Sequence, residues 1–185
     1  RVPDRPALRE IDATGLVVAP GFIDMLGQSE INVLADSRVF SKVTDGVTTE
    51  ITGEGNSVAP QTDATIANGR DQYQALGITV DWRDLDGYFR RLATSGSAVN
   101  IGTFVGATQV REAVLGDANR APTPAELARM TALVDTAMRQ GALGLSSALV
   151  YAPAFYASTD ELVALAKVAH RHGGIYASHI RDEGA

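Results

Sequence analysis

The sequence lacks cysteine altogether and has only three histidines among its 185 residues, His170, His172 and His179. Without cysteine the chain can form no disulfide bond, no thiolate nucleophile and no cysteine-ligated zinc site. Any metal site must therefore be built from histidine, aspartate and glutamate side chains.

Positive charge and long apolar runs are also scarce. Lysine and arginine total 16 against 22 aspartates and glutamates, a net charge of −6, so we expect no nucleic-acid partner. No apolar run approaches the roughly 20 residues of a transmembrane helix, so we expect no membrane-spanning segment. The chain opens on Arg1 without a leader pattern. We therefore expect the natural N-terminus to lie upstream, and both a cytoplasmic and a periplasmic location stay open.

The chain does contain a regular alternation of strand-like and helix-like segments, which predicts β/α units around a parallel sheet. Residues 8–19 predict a strand pair around the turn Thr14-Gly15, residues 36–44 a helix, and residues 68–79 an irregular segment with some helix. Five apolar runs predict parallel strands, at residues 21–26, 46–53, 97–105, 142–149 and 175–179.

Three longer helices are predicted from their capping signals. Their candidate N-caps are Asp81, Thr123 and Ser158. The last two are followed three residues later by Glu126 and Glu161, as in a capping box. Each helix carries an apolar stripe at helical spacing and stops near a glycine.

This order of elements fits two α/β architectures. One is a partial (β/α)₈ barrel of the TIM type, which needs eight strands and typically about 250 residues, so that the segment would be truncated. The other is a doubly wound sheet, which accommodates five strands without truncation. Periodicity alone leaves both architectures open.

Polar residues follow the predicted strands, at the edge where both architectures bind ligands. Glu54 and His179 stand out because a carboxylate and an imidazole can share a divalent metal ion. Taken singly, each is explained more simply as a structural residue, Glu54 capping a turn and His179 bonded within the core. The other polar residues at strand ends are Asp24, Gln28, Glu30, Tyr151, Arg181, Asp182 and Glu183.

Two other features favour structural roles. His170 and His172 lie at the predicted end of a helix, where positive charge suits the helix dipole. The run Arg181-Asp182-Glu183 is typical of a surface salt-bridge cluster, although its place at a strand end also fits a polar wall of a pocket.

Three stretches together resemble the D-aminoacylase (N-acyl-D-amino-acid deacylase) branch of the metal-dependent amidohydrolase superfamily. They are VVAPGFIDM at residues 17–25, DGVTTEITGEGNSVAP at 45–60, and the segment from GALGLSSALVYAP to SHIRDEG at 141–184. The resemblance implies that residues 1–19 end a small β-sandwich. It implies further that residues 20–185 form the first five β/α units of a truncated amidohydrolase barrel.

The resemblance also implies an activity, the hydrolysis of linear amide (non-peptide C–N) bonds by deacylation of small N-acyl-D-amino acids. His179 in SHIRDEG matches a family metal ligand, and Glu54 falls where the family has a metal-binding cysteine. Tyr151 matches a tyrosine that holds the substrate. A further histidine ligand and the general-base aspartate are expected beyond residue 185, so we expect this segment alone to be inactive and poorly stable.

The chain departs from the family at the first strand. Where the family reads PGFIDxHxH, Leu26 and Gln28 replace both histidines. Leucine cannot bind a metal, so the resemblance implies one zinc ion per chain rather than two. The alternative is a non-catalytic amidohydrolase-like barrel that has lost its metal and serves as a binding or structural module.

Overall fold

The fold rests on two three-stranded parallel sheets, in a computed structural model that describes residues 8–182 and 184. In both sheets the strand order follows the chain order and every pairing is parallel. Each connection between paired strands therefore crosses over the sheet and carries helices. The strands are β1 (Phe22–Met25), β2 (Val47–Thr52) and β3 (Asn100–Thr103), then β4 (Val105–Gly106), β5 (Gly144–Ala148) and β6 (Ile175–His179).

Eight α-helices and one 3₁₀ helix connect the strands in this part of the chain. They are α1 (Asn32–Ala35), α2 (Phe40–Thr44), α3 (Asp63–Asn68), α4 (Arg70–Ala75), α5 (Leu85–Ser95), α6 (Ala107–Leu115), α7 (Pro124–Arg139) and α8 (Thr159–Arg171), with the 3₁₀ helix at Ala154–Tyr156. None of the described helices has both the length and the apolar character needed to cross a membrane.

The predicted run at residues 97–105 is not one strand but two. It is interrupted at the fully buried Phe104, whose backbone N–H donates to the carbonyl of Thr52 at 2.9 Å. Before Phe104 the chain pairs with β2, and after it with β5. β3 and β4 are thus consecutive parts of one extended segment that links the two sheets.

The predicted strand pair at residues 8–19 is wrong for the described residues. The turn at Thr14-Gly15 forms, with Gly15 at φ +78° and the Leu16 N–H bonded to the Ala13 carbonyl at 2.9 Å. No strand flanks it. The apolar side chains of Leu16 and Val17 remain exposed, because no described segment pairs with this part of the chain. Residues 1–7 lie outside the described residues.

Helix starts follow the capping chemistry with two corrections. Thr123 and Glu126 form the predicted reciprocal box. α5 is capped by Asp84 and not by Asp81, since Asp84 Oδ1 accepts the N–H of Gly87 at 2.9 Å. Ser158 caps α8, but the side chain of its Glu161 does not complete a box.

Three further segments differ from their predictions. Only the second half of the predicted helix at 36–44 is helical, as α2, and Val39 just before it is in the left-handed region at φ +42°; α1 ends before residue 36. The helix expected within residues 68–79 is α4, while α3, which precedes that segment, was not predicted. α6 was not predicted, because its nine residues mix polar and apolar side chains and it directly follows β4.

The core lies where α6, α7 and α8 cover β4 and β5, and residues of α5 belong to the same apolar cluster. Eight of its apolar side chains are fully buried, namely Leu85, Tyr88, Val105, Val110, Met130, Val134, Leu145 and Leu165. The outer strands differ: Phe22 on β1 is 58% exposed and Ile175 on β6 is 57% exposed. Burial is therefore concentrated in the middle of the strand series and falls off at both ends.

Candidate active site

One cavity of about 400 Å³ gathers the residues predicted to carry chemistry. Its lining comes from the segments that follow β1, β2, β5 and β6 and from the start of α6, so it lies at the carboxyl ends of the strands. The lining residues are Gln28, Glu54, Asn56, Thr108, Ala148, Tyr151, Ala152 and His179. Glu54, Tyr151 and His179 are separated along the chain but share this one space.

Glu54 is carried by a loop that is braced on both sides of it. Ser146 on β5 accepts a hydrogen bond from the Gly55 N–H at 3.0 Å and donates one to the Gly53 carbonyl. The Gly55 carbonyl accepts the N–H of Thr108, the second residue of α6, at 3.1 Å. These contacts fix the backbone around a half-buried carboxylate.

Glycine at position 55 is required by close packing as well as by its backbone. Gly55 has φ +71°, and a Cβ there would lie 2.6 Å from the Cβ of Ala148. Any side chain at this position would push the Glu54 loop away from β5. Gly55 therefore allows the close backbone approach between the Glu54 loop and β5.

His179 is the last residue of β6 and faces the same cavity. The β5–β6 register sets it level with Ala148, and its carbonyl accepts the N–H of Leu149 at 3.1 Å. Its Nδ1 lies 3.2 Å from the Ile180 carbonyl. When Nδ1 carries the proton in that contact, Nε2 carries the lone pair that a metal ligand needs.

Tyr151 lines the cavity next to His179, with the two ring centroids 6.0 Å apart. The segment after it is held by Arg181, whose guanidinium bonds the carbonyls of Phe155 and, at 2.9 Å, Ala157. Arg181 also stacks over the Phe155 ring at 5.5 Å. The arginine predicted as part of a salt-bridge cluster thus braces the wall of the cavity.

Among the other polar residues at strand ends that the structure describes, Gln28 lines this cavity and the rest do not. Asp24 pairs with Lys42, which also lies 3.5 Å from the buried Glu50. Asp182 accepts the N–H of Gly184 at 2.8 Å, and Glu183 lies outside the described residues. Among the helix-end histidines, His172 pairs with Asp135 at 2.8 Å, as the structural interpretation predicts.

A second, smaller cavity of about 240 Å³ adjoins the first and shares Gln28 and Asn56 with it. Glu30 lines it together with Glu112 and Tyr73. Burial, reinforced by the nearby charge of Glu50, raises the pKa of Glu30 to about 7. Sequence patterns gave no signal for Glu112 or Tyr73 here, because their helices are brought to the rim only by the tertiary fold.

The described residues contain no cluster of three or more His, Asp or Glu side chains arranged to hold a metal ion. The first cavity has two conventional ligands, Glu54 and His179, with the weaker amide oxygens of Gln28 and Asn56 beside them. Leu26 offers no donor atom. The candidate site is therefore a pair of ligands and not a complete coordination set.

This parallel α/β fold, with its polar cavity at the strand ends, is that of a known enzyme family. The model of the amidohydrolase family matches residues 9–178, and the chain belongs to that family. Within it, the relatives place the chain in the D-aminoacylase branch.

Three relatives define that placement. The D-aminoacylase of Alcaligenes xylosoxydans xylosoxydans is 39% identical over 182 residues, covering 98% of this chain and 37% of the relative. A solved D-aminoacylase structure, described by its binuclear metal center, superposes with a TM-score of 0.88 at 35% identity, over 100% of this chain and 39% of that one.

The third relative is the N-acyl-D-glutamate deacylase of Bordetella bronchiseptica, solved with zinc and a phosphonate inhibitor. It has a TM-score of 0.85 at 34% identity, over 99% of this chain and 38% of its own. The chain thus spans less than two fifths of the length of these relatives.

Proposed function

We propose that this chain is part of a metal-dependent hydrolase that deacylates N-acyl-D-amino acids. The observation that carries the proposal is the convergence of Glu54, Tyr151 and His179 on one cavity at the strand ends. Membership of the amidohydrolase family and similarity to D-amino-acid deacylases over nearly the whole chain support it. The same similarity disfavours the non-catalytic barrel.

The architecture proposed for the whole protein is a (β/α)₈ barrel preceded by a small β-sandwich. Residues 20–185 would supply five β/α units, since β3 and β4 count as one extended segment. The exposed apolar faces of β1 and β6 support the idea that further strands cover them. Residues 1–19 would belong to the sandwich.

The proposed cofactor is one zinc ion, held in part by Glu54 and His179. A carboxylate oxygen and an imidazole nitrogen are ordinary zinc ligands, so the donor chemistry of the cavity fits. A zinc ion bound there would supply Lewis-acid polarisation of the scissile carbonyl and activation of water. A third protein ligand and the general-base aspartate would come from the part of the relatives' length that this chain does not span.

The chain's own residues would position the substrate. The Tyr151 hydroxyl would donate a hydrogen bond to the substrate, from a wall that Arg181 holds in place. Ser146 and the start of α6 would hold the Glu54 carboxylate at a fixed point of the cavity. Supporting hydrogen bonds of this kind are known to orient metal ligands.

The decisive experiment is elemental analysis of the full-length protein beside Glu54→Ala and His179→Ala variants. We expect about one zinc per chain, with zinc binding weakened at least tenfold in both variants. Glu10→Ala and His170→Ala are matched controls, since both side chains are exposed and distant in sequence from the cavity.

Activity completes the test. N-acetyl-D-amino acids should be hydrolysed and their L-enantiomers should not, with Tyr151→Phe raising KM. Absence of stoichiometric metal after zinc loading, or no hydrolysis across a broad panel of N-acyl-D-amino acids, would contradict the proposal.

A further inference from the structure

The smaller cavity is placed to receive part of any molecule held at Glu54 and His179. Gln28 and Asn56 line both cavities, so the two spaces adjoin at these side chains. A volume of about 240 Å³ is large enough for the side chain of one amino acid. The smaller cavity is therefore a candidate side-chain pocket.

Most residues of its lining carry hydrogen-bonding side chains. Of its fourteen lining residues, six are asparagine or glutamine and two, Glu30 and Glu112, are acidic, whereas none is lysine, arginine or histidine. The amide nitrogen of the buried Gln109 is already bonded to the Pro60 carbonyl at 2.8 Å. Gln109 keeps its carbonyl oxygen as an acceptor for a ligand, together with the second N–H of the same amide.

Glu30 is the group that most lacks a partner. Its Oε2 is buried and has no hydrogen-bond partner among the described residues. A buried carboxyl without a donor is unfavourable, and burial accordingly raises its pKa. Because Glu30 lines the cavity, a cationic group that enters it would lie beside this carboxyl group.

The lining discriminates among classes of side chain. An apolar side chain would displace water from the acceptors without replacing its hydrogen bonds. An anionic side chain would lie against Glu30 and Glu112 without a cation to balance it. A cation with several N–H donors satisfies the acceptors and the carboxyls together.

We propose, on the basis of the proposed function, that this cavity binds the side chain of the scissile amino acid and selects one ending in an ammonium group, as in N-acyl-D-lysine. This chain would then differ from its relative named for N-acyl-D-glutamate, although the two share a fold. The specificity is set by Glu30 and Glu112, with the amide oxygens supplying further acceptors.

Three nearly isosteric compounds test the pocket on the full-length protein: N-acetyl-D-lysine, N-acetyl-D-norleucine and N-acetyl-D-2-aminoadipate. They differ in carrying a cationic, an apolar or an anionic end. Selectivity is measured as kcat/KM where a compound is hydrolysed and as Kd where it is not. We expect the lysine compound to be favoured over the norleucine compound by about tenfold or more, the size of one charge-assisted hydrogen bond. The aminoadipate compound should be weakest.

Glu30→Gln should remove most of the preference for the lysine compound over the norleucine compound, because the negative charge is lost while the size of the side chain is kept. Glu112→Gln is a second variant should Glu30→Gln fail to fold, and the exposed Glu10→Gln is the control. Preference for the norleucine or aminoadipate compound overturns the proposal, as does an unchanged lysine-to-norleucine ratio in folded Glu30→Gln. If no compound is hydrolysed but the lysine compound binds selectively, the proposed deacylase activity is refuted, whereas the proposed specificity of the smaller cavity is supported.

Discussion

The two sides of the candidate active site are held in contrasting ways. Glu54 lies in a loop fixed to buried groups, since Ser146 is fully buried and the Gly55 carbonyl caps the start of α6. His179 ends β6, the outer strand of the second sheet, and Tyr151 lies in the segment after β5, where it is 63% exposed. One side is set by the core of this chain, and the other stands at its margin.

The difference follows from the distribution of burial along the strand series. β4 and β5 are covered by α6, α7 and α8, whereas β6 has β5 as its only strand partner among the described residues. The middle of the chain should therefore carry most of the stability. The stability of the outer strands, β1 and β6, should depend on the segments that pack against them in the full-length protein.

The largest expected effect is on a buried ion pair in the middle region. Arg111 on α6 and Glu161 on α8 are almost fully buried and bonded at 2.6 and 2.8 Å, and Arg111 also donates to the Ala118 carbonyl at 3.0 Å. Arg111→Ala leaves the Glu161 charge buried without a partner, so we expect a loss of about 3–5 kcal/mol in the free energy of unfolding. Denaturant unfolding of the full-length protein measures it.

Arg120→Ala is the matched control for that variant. Arg120 pairs with Glu126 at 2.7 Å, but its side chain is half exposed, so the expected loss is about 1 kcal/mol or less. Equal losses in the two variants would mean that the buried pair contributes no more than a surface one. The contrast between the middle and the margin would then lose its main support.

The next largest expected effect is the loss of unfolding free energy when an apolar side chain is shortened, in the core or on the outer strand β6. Leu165 on α8 is fully buried, and Leu165→Ala should cost about 2–5 kcal/mol. Ile175 on β6 is largely exposed in this chain. In the full-length protein Ile175→Ala should still cost more than about 1 kcal/mol, because the proposed barrel would cover its face.

Urea unfolding of both variants, with the exposed Val163→Ala as control, separates the outcomes. A loss for Ile175→Ala as small as that of the control would show that nothing packs on β6. That outcome would count against the proposed barrel while leaving the middle region as described.

Much of this fold could be predicted from the sequence because the middle strands and their helices have strong local signals. The strands at 46–53, 142–149 and 175–179 and the capping box at Thr123 and Glu126 were all confirmed. The errors fall where tertiary context decides. The side chain of Glu161 turns to Arg111 rather than back to its own helix end, and no local pattern encodes that choice.

The location of the candidate site could also be predicted from the sequence. Strand ends converge in any parallel α/β fold, so Glu54, Tyr151 and His179 could be expected on one rim. Their roles in metal and substrate binding stay predictions. The bracing by Ser146 and Arg181 and the cavity beside Glu30 depend on contacts between segments far apart in the chain, which no motif records.

The smallest expected effect on stability tests the bracing of Glu54 itself. Ser146→Ala removes the hydroxyl group that accepts from the Gly55 N–H and donates to the Gly53 carbonyl. Both backbone groups would then lose this hydrogen-bond partner. We expect a loss of about 1–3 kcal/mol in unfolding free energy. On the proposed function, zinc affinity should also fall by about 10- to 100-fold, because the ligand's support is lost. The exposed Ser41→Ala should change neither quantity.

Comparing Ser146→Ala with Arg181→Ala sharpens the contrast between the two sides of the site. If Ser146→Ala weakens zinc binding while Arg181→Ala, on the exposed side, mainly raises KM, then the core side holds the metal and the marginal side holds the substrate. Zinc titration of each variant, followed by its steady-state kinetics, distinguishes the two. A Ser146→Ala protein that is destabilised but binds zinc with unchanged affinity would show that the loop around Glu54 is structural only.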